Sequence, residues 1–400
     1  MKSSTLLQKN HKMNIWTKIF ILALNNLKYG KLKLSINTDH HLISGKLPGP
    51  NADLIIENKD IIKKILIEGS VAFGEEYVNG NIKTSNLENL LSYFAVNNDE
   101  VEKNIKYNLL FKIKNKLNHY FNKNTKKGSK KNIHSHYDLG NNFYKIWLDK
   151  SMTYSSAIFK NETDDLQIAQ KNKYNKLLNL AEIKDNDEVL EIGSGWGGFV
   201  DQITSCFNCK ITTTTISDEQ YKYVTSKFSK IRNKNINILK KDYRDLSGQF
   251  DKIISIEMFE AVGKEFWNVY FKKLKSLLNQ NGIIVLQIIT IKDNAFDYYN
   301  KNPDFIQKHI FPGGMLPSVS MLKKILENNK LKIIENNNYA EHYAKTLNNW
   351  RNNFNSSLNK IKDNGFDDKF VRLWNYYLAY CESGFKTKRI GLNQIKIIHN

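Results

Sequence analysis

Residues 189–199, VLEIGSGWGGF, constrain the fold of this chain more than any other stretch. Val189, Leu190 and Ile192 form the pattern of a buried strand. The glycines at 193, 195, 197 and 198 then make a tight turn before a helix opens. A strand, turn and helix of this kind holds a dinucleotide, a phosphate or a nucleoside-like cofactor. The stretch sits in a larger pattern. From about residue 134, the strand candidates EVLEIG, KITTTTI, INILKKD, DKIISIE, GIIVLQII and KLKIIENNNY alternate with helical stretches. That alternation predicts an α/β fold, a mostly parallel sheet with helices on both faces, and ligands at the carboxyl ends of the strands.

The glycines satisfy G-x-G-x-x-G through Gly193, Gly195 and Gly198, a weak signal alone. A nicotinamide site wants an acidic residue ending the next strand, about twenty residues on. Here that strand, ITTTTIS, ends in hydroxyls, and Asp218 and Glu219 come only in the following turn. A phosphate loop is excluded because no Gly-Lys-Ser/Thr follows. Glu191, two residues ahead of Gly193, gives the E-x-G-x-G form typical of S-adenosylmethionine sites, where bare backbone closes on the methionine part of the cofactor.

Before residue 134 the pattern differs. Residues 1–122 mix short strands such as KLKLSI with helices and an Asn-Gly turn, and predict a small α+β domain. The run FKIKNKLNHYFNKNTKKGSKK grows basic and polar toward its end, which places a linker at 123–133 and the main domain at 134–400. The apolar stretch IWTKIFILALNNL is too short to span a bilayer and is interrupted by Lys18, so it is either an amphipathic surface helix or a packing helix. A net charge of +20 draws the chain to polyanions, nucleic acid or an anionic membrane; a Lys-, Asn- and Ile-rich composition is the plainer account. Cys206, Cys209 and Cys381 make no disulfide framework, which predicts a reducing cytoplasm. CFNC finds no second ligand pair, and the histidines at 40–41 and in HSH at 134–136 have no acidic partners, so no metal is expected.

Further motifs follow in order: HYDLGNNFYKIWLDKSMTYSSA, TTTTISDEQ, KDYRDL, SIEMFEAVG, FIQKHIFPGGMLPS, YAKTLNNWRNNF and YYLAYCESGF. With VLEIGSGWGGF they resemble the cyclopropane-fatty-acid synthase family from about residue 134 to the end. The amino-terminal stretch ISGKLPGPNADLIIENKDIIKKILIEGSVAFGEEYVNG is similar to that family's accessory domain, which would serve lipid docking or self-association as a homodimer. The resemblance implies a Rossmann-like class I methyltransferase sheet with a helical lid. It also implies transfer of a methyl(ene) group from S-adenosylmethionine to the cis double bond of unsaturated acyl chains of membrane phospholipids. Attack of the double bond on the sulfonium methyl leaves a carbocation, and a base then removes a proton. Such a site needs an apolar slot, aromatic faces that tolerate positive charge, and a base kept from water.

Carried over by motif, Tyr154 and Ser155 cover the cofactor, and Gly193 and Gly195 form its turn. Thr215 and Gln220 lie on the ribose side, Asp242 and Tyr243 on the adenine side. Glu260 and Tyr343 cradle a bicarbonate ion that serves as base, and Cys381 stands close to the reacting centre. Two departures matter. The family's cradle also has a cysteine and a histidine where this chain has Ser156 and Gln287. Without a cationic partner the anion binds more weakly, so either it binds differently or Glu260 takes the proton itself. Loss of the proton from the new methyl gives a cyclopropane; a hydride shift first gives a methylene or methyl-branched chain. The loop FPGGMLPS, 311–318, is a lid element or a rigid turn. The resemblance and the charge together predict a cytoplasmic enzyme peripheral to an anionic membrane. The alternative is a soluble N-methyltransferase of small amines, which would need no accessory domain. Nucleic-acid binding is disfavoured, because no aromatic-basic recognition motif is present.

Overall fold

The computed structural model describes residues 14–100, 125–126, 128–129, 139–229 and 235–400. The chain divides into two units, Met1–Phe111 and Lys112–Asn400. The expected linker lies outside the described residues except for 125–126 and 128–129, and so do the histidines of HSH.

In the first unit, β1 (Tyr29–Ile36) alternates exposed and buried residues, as KLKLSI predicts. It pairs antiparallel with β2 (Asp39–Ser44) and parallel with β3 (Leu47–Ile56), and β3 pairs with the short β4 (Ile82–Lys83). Among the described residues three helices accompany the sheet. Ile15–Asn25 is capped by the Asn14 side chain, which accepts from Thr17 N at 2.8 Å. Thr17, Phe20 and Leu24 of this helix are buried whereas Ile15, Ile19 and Leu22 are exposed, so it packs by one face and carries apolar residues on the other. The helix Ile61–Val78 kinks at Gly69, whose φ of 68° and ψ of −145° are available to glycine alone. Leu87–Val96 is capped by Asn86.

The second unit is built on one sheet whose strands are β5 (Glu188–Ile192), β6 (Lys210–Thr214), β7 (Ile236–Leu239), β8 (Phe250–Ile256), β9 (Leu278–Ile291), β10 (Leu331–Asn338) and β11 (Ile390–His399). Their order is β10-β11-β9-β8-β5-β6-β7. Pairings from β7 through β9 are parallel, and β11 alone inserts antiparallel between β9 and β10. This is the class I methyltransferase sheet that the motifs imply; β11 is the strand that the alternation pattern does not announce. The sheet buries Leu190, Ile253, Ile254, Ile284 and Val285 completely, and helices cover both faces. Each such side chain contributes about 1.5–3 kcal/mol. The chain leaves β5 toward β6 on one side and β8 on the other, so the glycine turn opens at the topological switch point, where open α/β sheets bind ligands.

Among the described residues no helix is long and apolar enough to cross a membrane, and no group of three or more His, Cys, Asp or Glu side chains is placed to hold a metal ion. Cys206 is exposed at the end of the helix Gly198–Cys206, while Cys209 packs in the core, where burial pushes its thiol up to about 11.

Candidate active site

Gly193 N and Ser194 N both donate to Thr214 O at 2.9 Å, which folds the end of β5 against the end of β6. Gly193, Gly195 and Gly197 all have positive φ, at 100°, 50° and 80°. Among the described residues a Cβ on Gly195 would meet nothing within 4 Å, so its backbone faces open space there; a Cβ on Gly197 would lie 2.8 Å from the Phe228 ring. Beyond the turn, the Thr215 hydroxyl donates to Gln220 Oε1 at 2.8 Å and leaves the amide NH2 group to donate elsewhere. Asp242 is gripped by Arg244 through both carboxylate oxygens, at 2.7 Å each. Burial works to raise the Asp242 pKa, but the Arg244 bonds win and hold it below the usual carboxylate range. Burial pushes neighbouring Tyr243 up to about 12. Glu191 of the E-x-G-x-G motif is 2 % exposed and accepts from Thr213 Oγ1 at 2.5 Å, within the sheet. Burial raises its carboxyl to about 7.

A second cluster stands at the carboxyl ends of β8 and β9. Tyr343 donates its hydroxyl to Glu257 Oε2 at 2.6 Å, and Gln287 Nε2 and Ser156 N donate to Oε1 at 2.7 and 2.8 Å. Ser155 Oγ accepts from Lys173 Nζ at 2.8 Å, and Lys173, fully buried, also lies 3.9 Å from the Tyr174 ring. Glu260 accepts from Ile289 N at 2.6 Å through Oε1, while its buried Oε2 has no hydrogen-bond partner among the described residues. Glu257 and Glu260 are half-buried.

The electrostatics separate the two carboxyls. Burial raises Glu257, and its donors and then Lys173 pull it back. Burial also raises Glu260, and the charge of Glu257 adds to it, to about 8. Burial brings Lys173 down to about 7 despite the attraction of Glu257, Asp149 and Glu191. The Cys381 thiol is raised by burial and then by Asp304, so it is a thiol and not a nucleophilic thiolate.

Aromatic rings gather beside this cluster, where Tyr343 packs against Trp350 and Phe385. Tyr154 shares a 2.7 Å hydrogen bond with Tyr377 and packs against Tyr144 and Trp350, with centroids 5.3 Å away in each case. Tyr144 packs in turn on Trp196 of the glycine turn, at 5.0 Å, and Trp196 Nε1 donates to Asn141 Oδ1 at 2.7 Å. The helices Asn141–Trp147, Ala340–Ser356 and Asp368–Lys386 supply most of these rings, and this is the expected helical lid. The loop 311–318 is tied to its surroundings by hydrogen bonds: Met315 N donates to Glu260 O, Gln307 Nε2 to Gly314 O, and Ile291 N to Pro317 O.

The chain was compared with known proteins. Residues 124–395 match the mycolic acid cyclopropane synthetase family. The chain belongs to this family. It is 32% identical over 86% of its length to a tuberculostearic acid methyltransferase of Mycobacterium tuberculosis, covering 83% of that protein. It is 33% identical over 88% of its length to the cyclopropane-fatty-acyl-phospholipid synthase of Escherichia coli, covering 88% of that protein. Among solved structures, the mycolic acid cyclopropane synthase CmaA1 complexed with SAH and CTAB has a TM-score of 0.63 at 26% identity, covering 67% of this chain and 97% of that one. As a member of the family, the chain is an S-adenosylmethionine-dependent methyltransferase.

The site of this family member fits that cofactor: open space over Gly195, an amide NH2 group on Gln220 that Thr215 does not occupy, and Asp242 and Tyr243 beyond β7. The structure also brings Ser156, Gln287 and Tyr343 together as expected, but on Glu257 rather than on Glu260. Glu257, Lys173 and Gln394 are the residues that sequence reasoning passed over. Glu257 lies inside the quoted SIEMFEAVG. Lys173 falls in the buried stripe Leu166, Ala169, Gln170, Lys173, Tyr174, Leu177 of its helix, where a lysine is out of place unless paired.

The two glycines predict different failures. Gly197→Ala is expected to cost about 1–3 kcal/mol in urea unfolding, from its positive φ and the collision with Phe228. Gly195→Ala is expected to weaken S-adenosylmethionine binding at least roughly tenfold, about 1.4 kcal/mol, because its methyl enters the open space. Calorimetric titration of both variants checks this; unchanged affinity in Gly195→Ala removes that space from the cofactor site.

Proposed function

We propose that this enzyme transfers a methyl(ene) group from S-adenosylmethionine to the cis double bond of an unsaturated acyl chain of a membrane phospholipid. The observation that carries the reading is the pair Glu257 and Glu260, beside the Tyr343 and Trp350 rings and next to the glycine turn. When bound, the cofactor supplies an electrophilic sulfonium methyl. The chain's own residues do the rest. Tyr154, Trp350 and Tyr377 exclude water and offer π faces to the positive charge that develops on the acyl chain. Gly193, Gly195, Thr215 and Gln220 hold the cofactor, Ser155 is fixed by Lys173, and a carboxylate takes the proton. Tyr343, Gln287 and Ser156 hold that carboxylate in place. Cys381 lies within electrostatic reach of Tyr343 and Tyr377 and acts there as a neutral, polarizable wall. The net charge of +20 supports encounter with an anionic lipid surface.

The test uses cofactor with a fully deuterated methyl and anionic vesicles of monounsaturated phospholipid, with mass spectrometry of the released acyl chains. The expected result is transfer with loss of one deuterium, because a base facing the reacting carbon takes its proton from the new methyl. Chromatography then separates ring from exomethylene. Retention of all three deuteriums means that the proton leaves from another carbon and the product is methyl-branched. No label in lipid, with label in added amines, overturns the reading.

A further inference from the structure

The cradle that the family resemblance gives to bicarbonate is filled by the chain itself. Tyr343 Oη, Gln287 Nε2 and Ser156 N all donate to Glu257, at 2.6, 2.7 and 2.8 Å, and occupy both carboxylate oxygens. Gln394 Nε2 donates to Gln287 Oε1 at 2.9 Å, which fixes the Gln287 amide with its NH2 group toward Glu257. An added anion would need these same donors and would set a second negative charge against a buried carboxylate. The residues present do not fit it.

The backbone agrees. Glu257 has a φ of 50°, in the left-handed region that glycine enters freely and a longer side chain enters under strain of about 1–3 kcal/mol. Such strain persists where the surroundings over-determine a residue, and functional sites are where it concentrates. The position is also right. Glu257 directly follows β8 at the sheet's carboxyl edge, and the next residue, Met258, is 3.3 Å from where a Cβ on Gly193 would stand.

We propose that Glu257 is the proton acceptor of the methylation, a carboxylate built into the chain where an external anion would otherwise sit, so that turnover needs no bicarbonate. This rests on the lipid-methylation reading above. In the step, a lone pair on a Glu257 oxygen forms an O–H bond with a hydrogen of the newly attached methyl group. The C–H electron pair becomes the closing bond of the ring or, once a hydride has shifted from the methyl-bearing carbon to the cationic one, the second bond of a methylene, and the carbocation is discharged. No oxidant, reductant or further reactant enters.

Glu257→Gly is the informative variant, because glycine relieves the positive φ and empties the cradle while its three donors stay. Turnover of wild type and variant on monounsaturated anionic vesicles is measured in buffer purged of carbon dioxide, then with bicarbonate or formate added. Binding of isotopically labelled bicarbonate is followed by NMR on both proteins without lipid. The wild type is expected to be indifferent to bicarbonate and to bind none. The variant is expected to lose about 10²–10⁴-fold in kcat, to recover part of it with bicarbonate or formate, and to bind the label. Three results overturn the proposal: a wild type that stalls in purged buffer and revives with bicarbonate, a wild type that binds the label, or a variant with wild-type turnover. A wild type that methylates no lipid at all defeats the lipid reading instead, and the binding comparison still decides whether Glu257 fills the anion site.

Discussion

Glu257→Gln is expected to lower kcat by about 10²–10⁴-fold while calorimetric affinity for S-adenosylmethionine stays within about twofold, and Glu260→Gln to lower kcat only by roughly tenfold. Burial raises the Glu257 carboxyl, three donors and Lys173 oppose that rise, and an amide in its place accepts no proton. Glu260 has one donor, an orphaned oxygen and the charge of Glu257 against it, so below about 8 it carries the proton. Two neighbouring carboxyls with unequal surroundings divide the roles of base and neutral donor in this way. Glutamine mimics a protonated glutamate: its oxygen accepts from Ile289 N and its NH2 group takes the place of the orphaned Oε2. The pH dependence follows with a definite sign. The Glu260 pKa is raised from 4.5, so its contribution to stability is fully present below about 4.5 and is lost as pH rises through about 8. Glu260→Gln lacks that loss, so it should gain melting temperature over the wild type above about pH 8, and its activity should not fall there. A Glu260→Gln enzyme as inactive as Glu257→Gln makes Glu260 the base.

The part of this site that was legible in the sequence is the part fixed by local chemistry. A glycine turn after a buried strand can be read from spacing, because positive φ at Gly193, Gly195 and Gly197 leaves few other residues. The convergence of Ser156, Gln287 and Tyr343 was legible only through the ordered motifs, since they lie on separate elements and meet by tertiary folding. The choice between Glu257 and Glu260 was not legible. Both stand at the turn after β8, and the φ of 50° that distinguishes Glu257 leaves no mark in a sequence where glutamate occupies the position. Strand β11 was missed because its buried stretch includes Asn393, Gln394 and Lys396, polar residues that only paired neighbours allow inside. Those neighbours are themselves distant: Thr290 donates to Asn393 at 2.8 Å, Gln394 meets Gln287, and Lys396 meets Glu182.

Lys173→Met is expected to lower the unfolding free energy by about 3–5 kcal/mol and to weaken cofactor binding with it. Lys173 is 0 % exposed, hydrogen-bonds Ser155 Oγ and attracts Glu257, Asp149 and Glu191. Methionine fills a similar volume, so the loss is chiefly electrostatic: buried carboxylates are left without their cation, and Ser155, next to Tyr154, loses its partner. Burial has already raised Glu191 to about 7, with Lys173 among the groups opposing it, so the variant should drive this carboxyl further toward its neutral form. A second substitution, Glu191→Gln, should therefore recover part of the loss, with a coupling of about 0.5–3 kcal/mol in the double-mutant cycle. The pH response has its own sign. In the folded protein the Lys173 pKa is about 7 against 10.5 for the free side chain, so the unfolded chain binds more protons between those values and this group's contribution to stability rises with pH across them. The variant lacks that rise, and its stripped carboxylates work the other way, so the stability gap should widen from about pH 7 upward. Urea titrations at several pH values measure it. A gap that is absent, or that closes as pH rises, would mean that Lys173 only fills space between its helix and the end of the sheet, and that Glu257 is held by its hydrogen bonds alone.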